Sequence, residues 1–135
     1  MVEHTAYAVR GFRCDGKYIC ILMHRQILNI VDPVELVDHK DHDGLNNQRC
    51  NIRECNHSEN MRNRSVHCGY KTSKFKGVSW NKLASKWMVY CNGYIGLFVS
   101  EKEAALAYNI EAKHIYGEFA NLNQIKPILI RRRNV

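Results

Sequence analysis

The chain has no run of eighteen apolar residues, so none of its segments is expected to cross a membrane as a helix. Its start, Met1-Val2-Glu3-His4, lacks the basic-then-apolar pattern of a secretory leader, and the expected location is the cytoplasm. The six cysteines, Cys14, Cys20, Cys50, Cys55, Cys68 and Cys91, contain no Cys-x-x-Cys pair. His57 and His67 lie near three of them, yet the spacings fit no standard zinc finger. Disulfides are not expected in a cytosolic chain, so the cysteines are read as small buried apolar residues. Acid is also missing where base is dense. From Tyr70 to Ser100 there is no Asp or Glu, against Lys71, Lys74, Lys76, Lys82 and Lys86. With a net charge of +7 over 135 residues, the chain calls for a polyanionic partner, and nucleic acid is the default. The length allows one domain or two very small ones.

What is present in abundance is polar and concentrated in residues 37 to 64, around which the rest is organised. Asp38 and His39 are adjacent, Asn51 and Asn60 follow, and Asp43-Gly44 gives a turn signal between them. Apolar residues here are sparse: Val37, Leu45, Ile52, Cys55 and Met61. The pattern reads as a short strand bearing Asp38-His39, an Asn-rich turn, a second short strand near Asn51-Ile52-Arg53 and a helix that includes Asn60. Such an arrangement can gather Asp38, His39 and Asn60. Asp and Asn oxygens suit a hard cation, magnesium or manganese. A neutral imidazole such as that of His39 can take a proton from water near pH 7. An ion beside a general base is what phosphodiester hydrolysis requires. Neighbours on a regular strand point to opposite faces, so Asp38 and His39 converge only at a strand end or bulge. His42 is read as a solvated loop histidine. His57, one turn before Asn60, either faces the site or solvent.

Residues 37 to 64 resemble the HNH (ββα-metal, or His-Me finger) endonuclease motif, and within it the homing-endonuclease branch of phages and mobile elements. That branch runs Asp-His, Gly, Asn-x-x-Asn-(Ile/Leu)-Arg, then a helical Asn. Gly44 and Arg53 stand in the usual places. The resemblance implies that His39 is the base, that Asp38 and Asn60 bind one ion, and that Asn51 pins the hairpin and orients the base. Because the last motif position is not histidine, magnesium is expected rather than zinc.

Ahead of this stretch, residues 5 to 24 read as a β-hairpin turning at Asp15-Gly16. Tyr18, Ile19, Ile21 and Leu22 favour strand. A short helix over 24 to 30 follows and ends before Asp32-Pro33. Its run Met23 to Leu28 is also typical of the branch, would back the metal site with an apolar layer, and leaves His24 a structural role. Residues 65 to 73 read as a linker able to track phosphates, with Arg62, Arg64 and Lys71 around it.

Residues 74 to 123 read as a second unit. Strands are expected from Lys74 to Trp80, Lys86 to Cys91 and Tyr94 to Val99, with a two-residue hairpin at Asn92-Gly93. A helix follows, capped by Ser100 with Glu103 as a capping box, presenting Ala104, Tyr108, Ala112 and Ile115 on one face and ending near Gly117. One sheet face packs on that helix. The other is basic and aromatic and suits the major groove of DNA. Trp87 is expected at least partly in the core, and Lys76, Ser79 and Lys86 outward. The carriers Lys76-Gly77-Val78, Lys86-Trp87, Gly96-Leu97-Phe98, Glu103-Ala104-Ala105, Ala107-Tyr108, Gly117-Glu118-Phe119-Ala120 and Leu122-Asn123 resemble the Apetala/ethylene-response-factor DNA-binding domain. Lysines and Ser79 stand where that family often has arginine, and lysine lacks the bidentate fork. The tail, with Arg131-Arg132-Arg133, is either a phosphate-binding arm or a solvated end.

The expectation is therefore an α+β chain. An N-terminal hairpin and short helix lead into a ββα-metal motif (1–64), and a linker (65–73) precedes a three-stranded antiparallel sheet packed on one helix (74–123) and a basic tail (124–135). Its expected activity is metal-dependent nicking of duplex DNA, as a monomer or weak homodimer, in the host cytoplasm if phage-encoded. The expected DNA contacts are Lys74, Lys76, Ser79, Trp80, Lys82, Lys86, Tyr90, Arg62 and Arg64. Two alternatives are a non-catalytic DNA-binding regulator that keeps the scaffold, and a nuclease acting on RNA or branched structures.

Overall fold

The computed structural model describes residues 6–64 and 72–125. Most of the expected linker, the Arg131–Arg133 tail, His67, Cys68 and Lys71 lie outside the described residues. The chain divides into two units, 1–64 and 65–135, and is α+β throughout. No helix among the described residues is long and apolar enough to cross a membrane.

Unit 1 begins with antiparallel strands β1 (Val9–Cys14) and β2 (Lys17–Leu22), paired from Val9↔Leu22 to Cys14↔Lys17. Asp15 (φ 51°) and Gly16 (φ 74°) both take positive φ, the type I′ turn that an Asp-Gly pair favours. Helix α1 (Met23–Ile27) is shorter than the expected 24–30 segment. It unwinds well before Pro33 because Asn29 turns left-handed (φ 57°), and the backbone N–H of Leu28 and Ile30 close onto His24 and Arg25 carbonyls. Arg25 then clamps the following loop by donating to the carbonyls of Asp32 and Glu35.

Strands β3 (Leu36–His39) and β4 (Ile52–Cys55) form a second hairpin in the register Asp38↔Arg53 and His39↔Ile52. Helix α2 (His57–Asn63) packs on both. It starts from a capping box that the sequence reading overlooked: Asn56 Oδ1 accepts from Glu59 N–H at 2.9 Å, and Glu59 accepts from Asn56 N–H at 2.9 Å. Of the apolar residues in this stretch, Ile52 and Cys55 are buried, whereas Leu45 and Met61 are exposed.

Unit 2 is a meander of β5 (Val78–Asn81), β6 (Lys86–Tyr90) and β7 (Tyr94–Phe98) packed on α3 (Glu101–Tyr116). Val78, Val89, Ala104, Ala105, Tyr108 and Ala112 form its core with Phe75 and Cys91. Ile115, expected on the same helix face, is instead 38% exposed. The first strand starts at Val78 rather than Lys74, because Gly77 turns left-handed (φ 72°) under Tyr108. A Cβ there would lie 2.2 Å from the Tyr108 ring and 2.5 Å from the Tyr90 carbonyl. The Asn92-Gly93 turn is a three-residue loop, since Cys91 is buried and its N–H bonds the Gly93 carbonyl at 2.9 Å. The expected Ser100/Glu103 capping box does not form: Ser100 is the N-cap but makes no side-chain cap bond. Glu101, one residue into the helix, instead accepts from Ser73 Oγ at 2.7 Å. Gly117 (φ 55°) ends the helix as expected. Asn109 and Asn123 exchange two bonds, and Asn123 brackets the backbone of Lys76, so the segment after α3 is tied to the strand entry.

Candidate functional site

The hairpin of unit 1 places Asp38 and His39 at the last two positions of β3, both buried, at 5% and 6% exposure. Adjacent residues on a strand diverge, and these two do. Asp38 meets Arg53 directly across the ladder: Arg53 Nε and Nη2 both donate to Oδ2, at 2.9 and 2.6 Å. Asn63, on the last turn of α2 and buried, donates through Nδ2 to Asp38 Oδ1 at 2.8 Å and to the His39 carbonyl at 3.2 Å. The helix thus locks the strand end carrying both residues.

His39 turns to other partners. Its Nε2 lies 3.4 Å from Asn47 Oδ1. The Asn47 amide is oriented by its own Nδ2, which donates to the Leu45 carbonyl at 3.1 Å. Assigned from that network, Nε2 carries the proton of the neutral imidazole, and Nδ1 keeps the lone pair. Around the ring stand His24 (centroids 5.2 Å apart, edge to face) and Tyr7 (5.9 Å).

Asn51, buried, ties the intervening loop together. Its Nδ2 donates to Asp41 Oδ1 and the Asn46 carbonyl, both at 2.8 Å, and its Oδ1 accepts from Asp41 N–H at 3.2 Å. Asp41 is held below the usual carboxylate range, first by the Asp43 N–H and then by the Asn46 and Asn51 amides.

The helical asparagine that touches Asp38 is thus Asn63. Asn60, one turn earlier, is half-buried, and its side chain makes no hydrogen bond among the described residues. Both occupy the same helix face, so spacing alone could not choose between them. Asn63, Asn47, Tyr7 and His24 are the residues that sequence reasoning missed or set aside. The i, i+3 repeat of asparagine offered a signal for Asn63, and the run over residues 23 to 28, read as backing the site with His24 in a structural role, offered one for His24. His57 and His42 are exposed, the latter in a left-handed turn (φ 66°).

No group of three or more His, Cys, Asp or Glu residues is poised to hold a metal among the described residues. Burial pushes the Cys55 thiol up to about 11, with the charges of Asp38 and Glu59 adding to it, so it stays protonated. Cys14, Cys20 and Cys50 are exposed, contrary to the reading of the cysteines as buried: all of β1, the first four residues of β2 and residues 48 to 50 lie at the surface. An oxygen-liganded ion fits, though narrowly. A carboxylate offers about four lone-pair directions. Arg53 and Asn63 take at least three on Asp38, leaving at most one direction there for an ion. Magnesium tolerates so small a protein share because it keeps waters and takes phosphate oxygens.

In unit 2 the register separates two faces. Val78↔Val89 and Trp80↔Trp87↔Phe98 lie on the helix side, and Ser79↔Met88↔Leu97, Asn81↔Lys86 and Tyr90↔Tyr94 on the other. Trp80, read from sequence as a DNA contact, is therefore on the helix-facing row, edge to face with Trp87 at 5.0 Å. It remains 36% exposed because β5 is an edge strand. Trp87 packs against the core as expected. Lys82, Lys86 and Tyr90 are exposed, and Ser79 and Lys76 half-buried. Lys74 lies over the Phe75 ring, 5.2 Å from its centroid. In unit 1, Arg62 is half-buried and Arg64 exposed.

Compared with known proteins, the chain is 37% identical over 95 residues to a protein of Acanthamoeba polyphaga mimivirus named as an uncharacterized HNH endonuclease. The match takes in 66% of this chain and 47% of that protein, so the chain spans about half the length of the relative. No family model and no solved structure matches it.

Proposed function

We propose that this chain is a metal-dependent DNA endonuclease of the HNH, ββα-metal type, nicking duplex DNA in the manner of homing enzymes. The observation that carries the proposal is the buried Asp38–His39 pair, ending one strand of a hairpin whose partner strand and following helix supply Arg53 and Asn63. The name of the viral relative points the same way.

In this reading His39 Nδ1 takes the proton of the attacking water, while Nε2–H rests on Asn47. Asn51 keeps the loop closed so that Asn47 stays in place. Asp38 and Asn60 would hold magnesium or manganese. When bound, the ion supplies charge neutralisation at the scissile phosphate and leaving oxygen. Asn63 and Arg53 fix the Asp38 carboxylate. In unit 2, Lys74, Lys76, Lys82 and Lys86 would neutralise phosphates, and Ser79 and Tyr90 would face bases or sugars. In unit 1, Arg62 and Arg64 would likewise contact phosphates. A single site in a monomer cuts one strand per engagement.

The test is relaxation of supercoiled plasmid with magnesium, comparing the wild type with His39→Ala. Nicking that needs both the metal and His39 is the expected result. One observation favours a second reading, a DNA-binding regulator: the Asp38 carboxylate is largely taken up by Arg53 and Asn63. Salt-dependent binding of duplex DNA by both proteins, with no cutting by either, would select it.

A further inference from the structure

His24 is a buried polar residue that the proposed mechanism does not use. It is 6% exposed, and its Nδ1 has no hydrogen-bond partner among the described residues. Buried polar atoms are nearly always paired, so an orphan asks for a reason. Its packing supplies one. The His24 ring stands edge to face against His39 (5.2 Å, 86°), and Tyr7 closes the third side, 5.3 Å from His24 and 5.9 Å from His39. The Asn47 contact on His39 is long, at 3.4 Å, and too weak to fix a ring by itself.

We infer that His24 is a positioning residue for His39: its ring, with Tyr7, forms an aromatic cradle that sets the His39 rotamer and so decides which ring nitrogen meets Asn47 and which is left open. This rests on the nuclease reading for its catalytic consequence, but not for its geometry. Any aromatic ring of that size serves, because the contact is through the ring edge and not through a hydrogen bond. Burial, and next the proximity of His39, keep His24 readily neutral, so the cradle adds no second positive charge beside the base.

The test compares His24→Ala and His24→Phe with the wild type by three measurements: the single-turnover nicking rate at saturating protein, the affinity for the same duplex, and the imidazole 15N spectrum of His39. Misplacing a reacting group by an ångström costs roughly 100-fold. His24→Ala should therefore lose about 10- to 100-fold in rate, keep DNA affinity within about twofold, and show His39 as a mixture of tautomers. His24→Phe should keep the rate within about threefold and a single tautomer, since the ring edge remains. Tyr7→Leu, at a position already 48% exposed, gives a third variant should His24→Ala fail to fold, and its expected loss is smaller. The inference is overturned if removing the ring leaves rate and tautomer unchanged, or if His24→Phe falls as far as His24→Ala. If the wild type does not cut at all, the nuclease reading fails alone, and the 15N comparison still decides the cradle.

Discussion

Asn63→Ala and Asn60→Ala separate two roles that the sequence leaves superposed. Asn63 is buried and bonds Asp38 Oδ1 at 2.8 Å and the His39 carbonyl at 3.2 Å. A hydrogen bond to a charged group contributes about 1.5–3 kcal/mol, and one to a neutral carbonyl about 1 kcal/mol. Alanine returns about 0.5 kcal/mol of helix propensity. The net loss for Asn63→Ala is then about 2–3.5 kcal/mol, which for a unit of this size lowers the melting temperature by roughly 8–28 °C. Asn60→Ala removes no described hydrogen bond and gains the same propensity, so its stability should stay within about 0.5 kcal/mol of wild type. If Asn60 holds the ion, its loss should instead raise the magnesium concentration needed for nicking. Urea and thermal unfolding followed by circular dichroism, with a magnesium titration of nicking, measure both. Equal destabilisation by the two variants, or a shift of under 2 °C for Asn63→Ala (roughly 0.3–0.5 kcal/mol for such a unit), would refute the argument.

Other consequences follow from the same geometry. Burial, then the charges of His39 and Arg25, draws His24 below its ordinary value near 6.5. The unfolded chain then accepts a proton that the folded one refuses. This part of unit 1 stability is present above pH 6.5 and lost as the pH falls below it, and His24→Phe should flatten that decline in urea midpoints taken from pH 7.5 to 5. Gly77→Ala would force its Cβ onto Tyr108 and the Tyr90 carbonyl at positive φ, and should cost unit 2 about 3 kcal/mol or more, read by near-ultraviolet dichroism of its tryptophans. Arg53→Ala leaves Asp38 buried without its guanidinium, which costs about 3–5 kcal/mol by denaturant titration. On the outer sheet face, Lys86→Ala should lower the salt slope of duplex binding by about 1, whereas loss of Trp80 should act mainly on stability through Trp87.

Local signals carried far in this chain because they are chemically explicit. Asp15-Gly16 fixed a type I′ turn through two positive φ angles, and Gly117 ended a helix in the same way, since only certain residues tolerate those conformations. The order of elements and the strand end bearing Asp38 and His39 were likewise legible from alternation and turn residues. What the sequence could not decide was the direction of each side chain once several elements met. Asn60 and Asn63 share a helix face, and only the approach of α2 to β3 picks the one that reaches Asp38. Trp80 and Ser79 alternate, and only the pairing Trp80↔Trp87 sets the indole edge to face against Trp87. Ser100 and Glu103 had the spacing of a capping box, yet Ser100 makes no side-chain cap bond, and the helix start is tied instead through Glu101 to Ser73, twenty-eight residues away in sequence. Turn geometry lives in the dihedrals of one or two residues and is written locally. Partner choice is a competition among groups distant in sequence, and folding alone brings the competitors within reach.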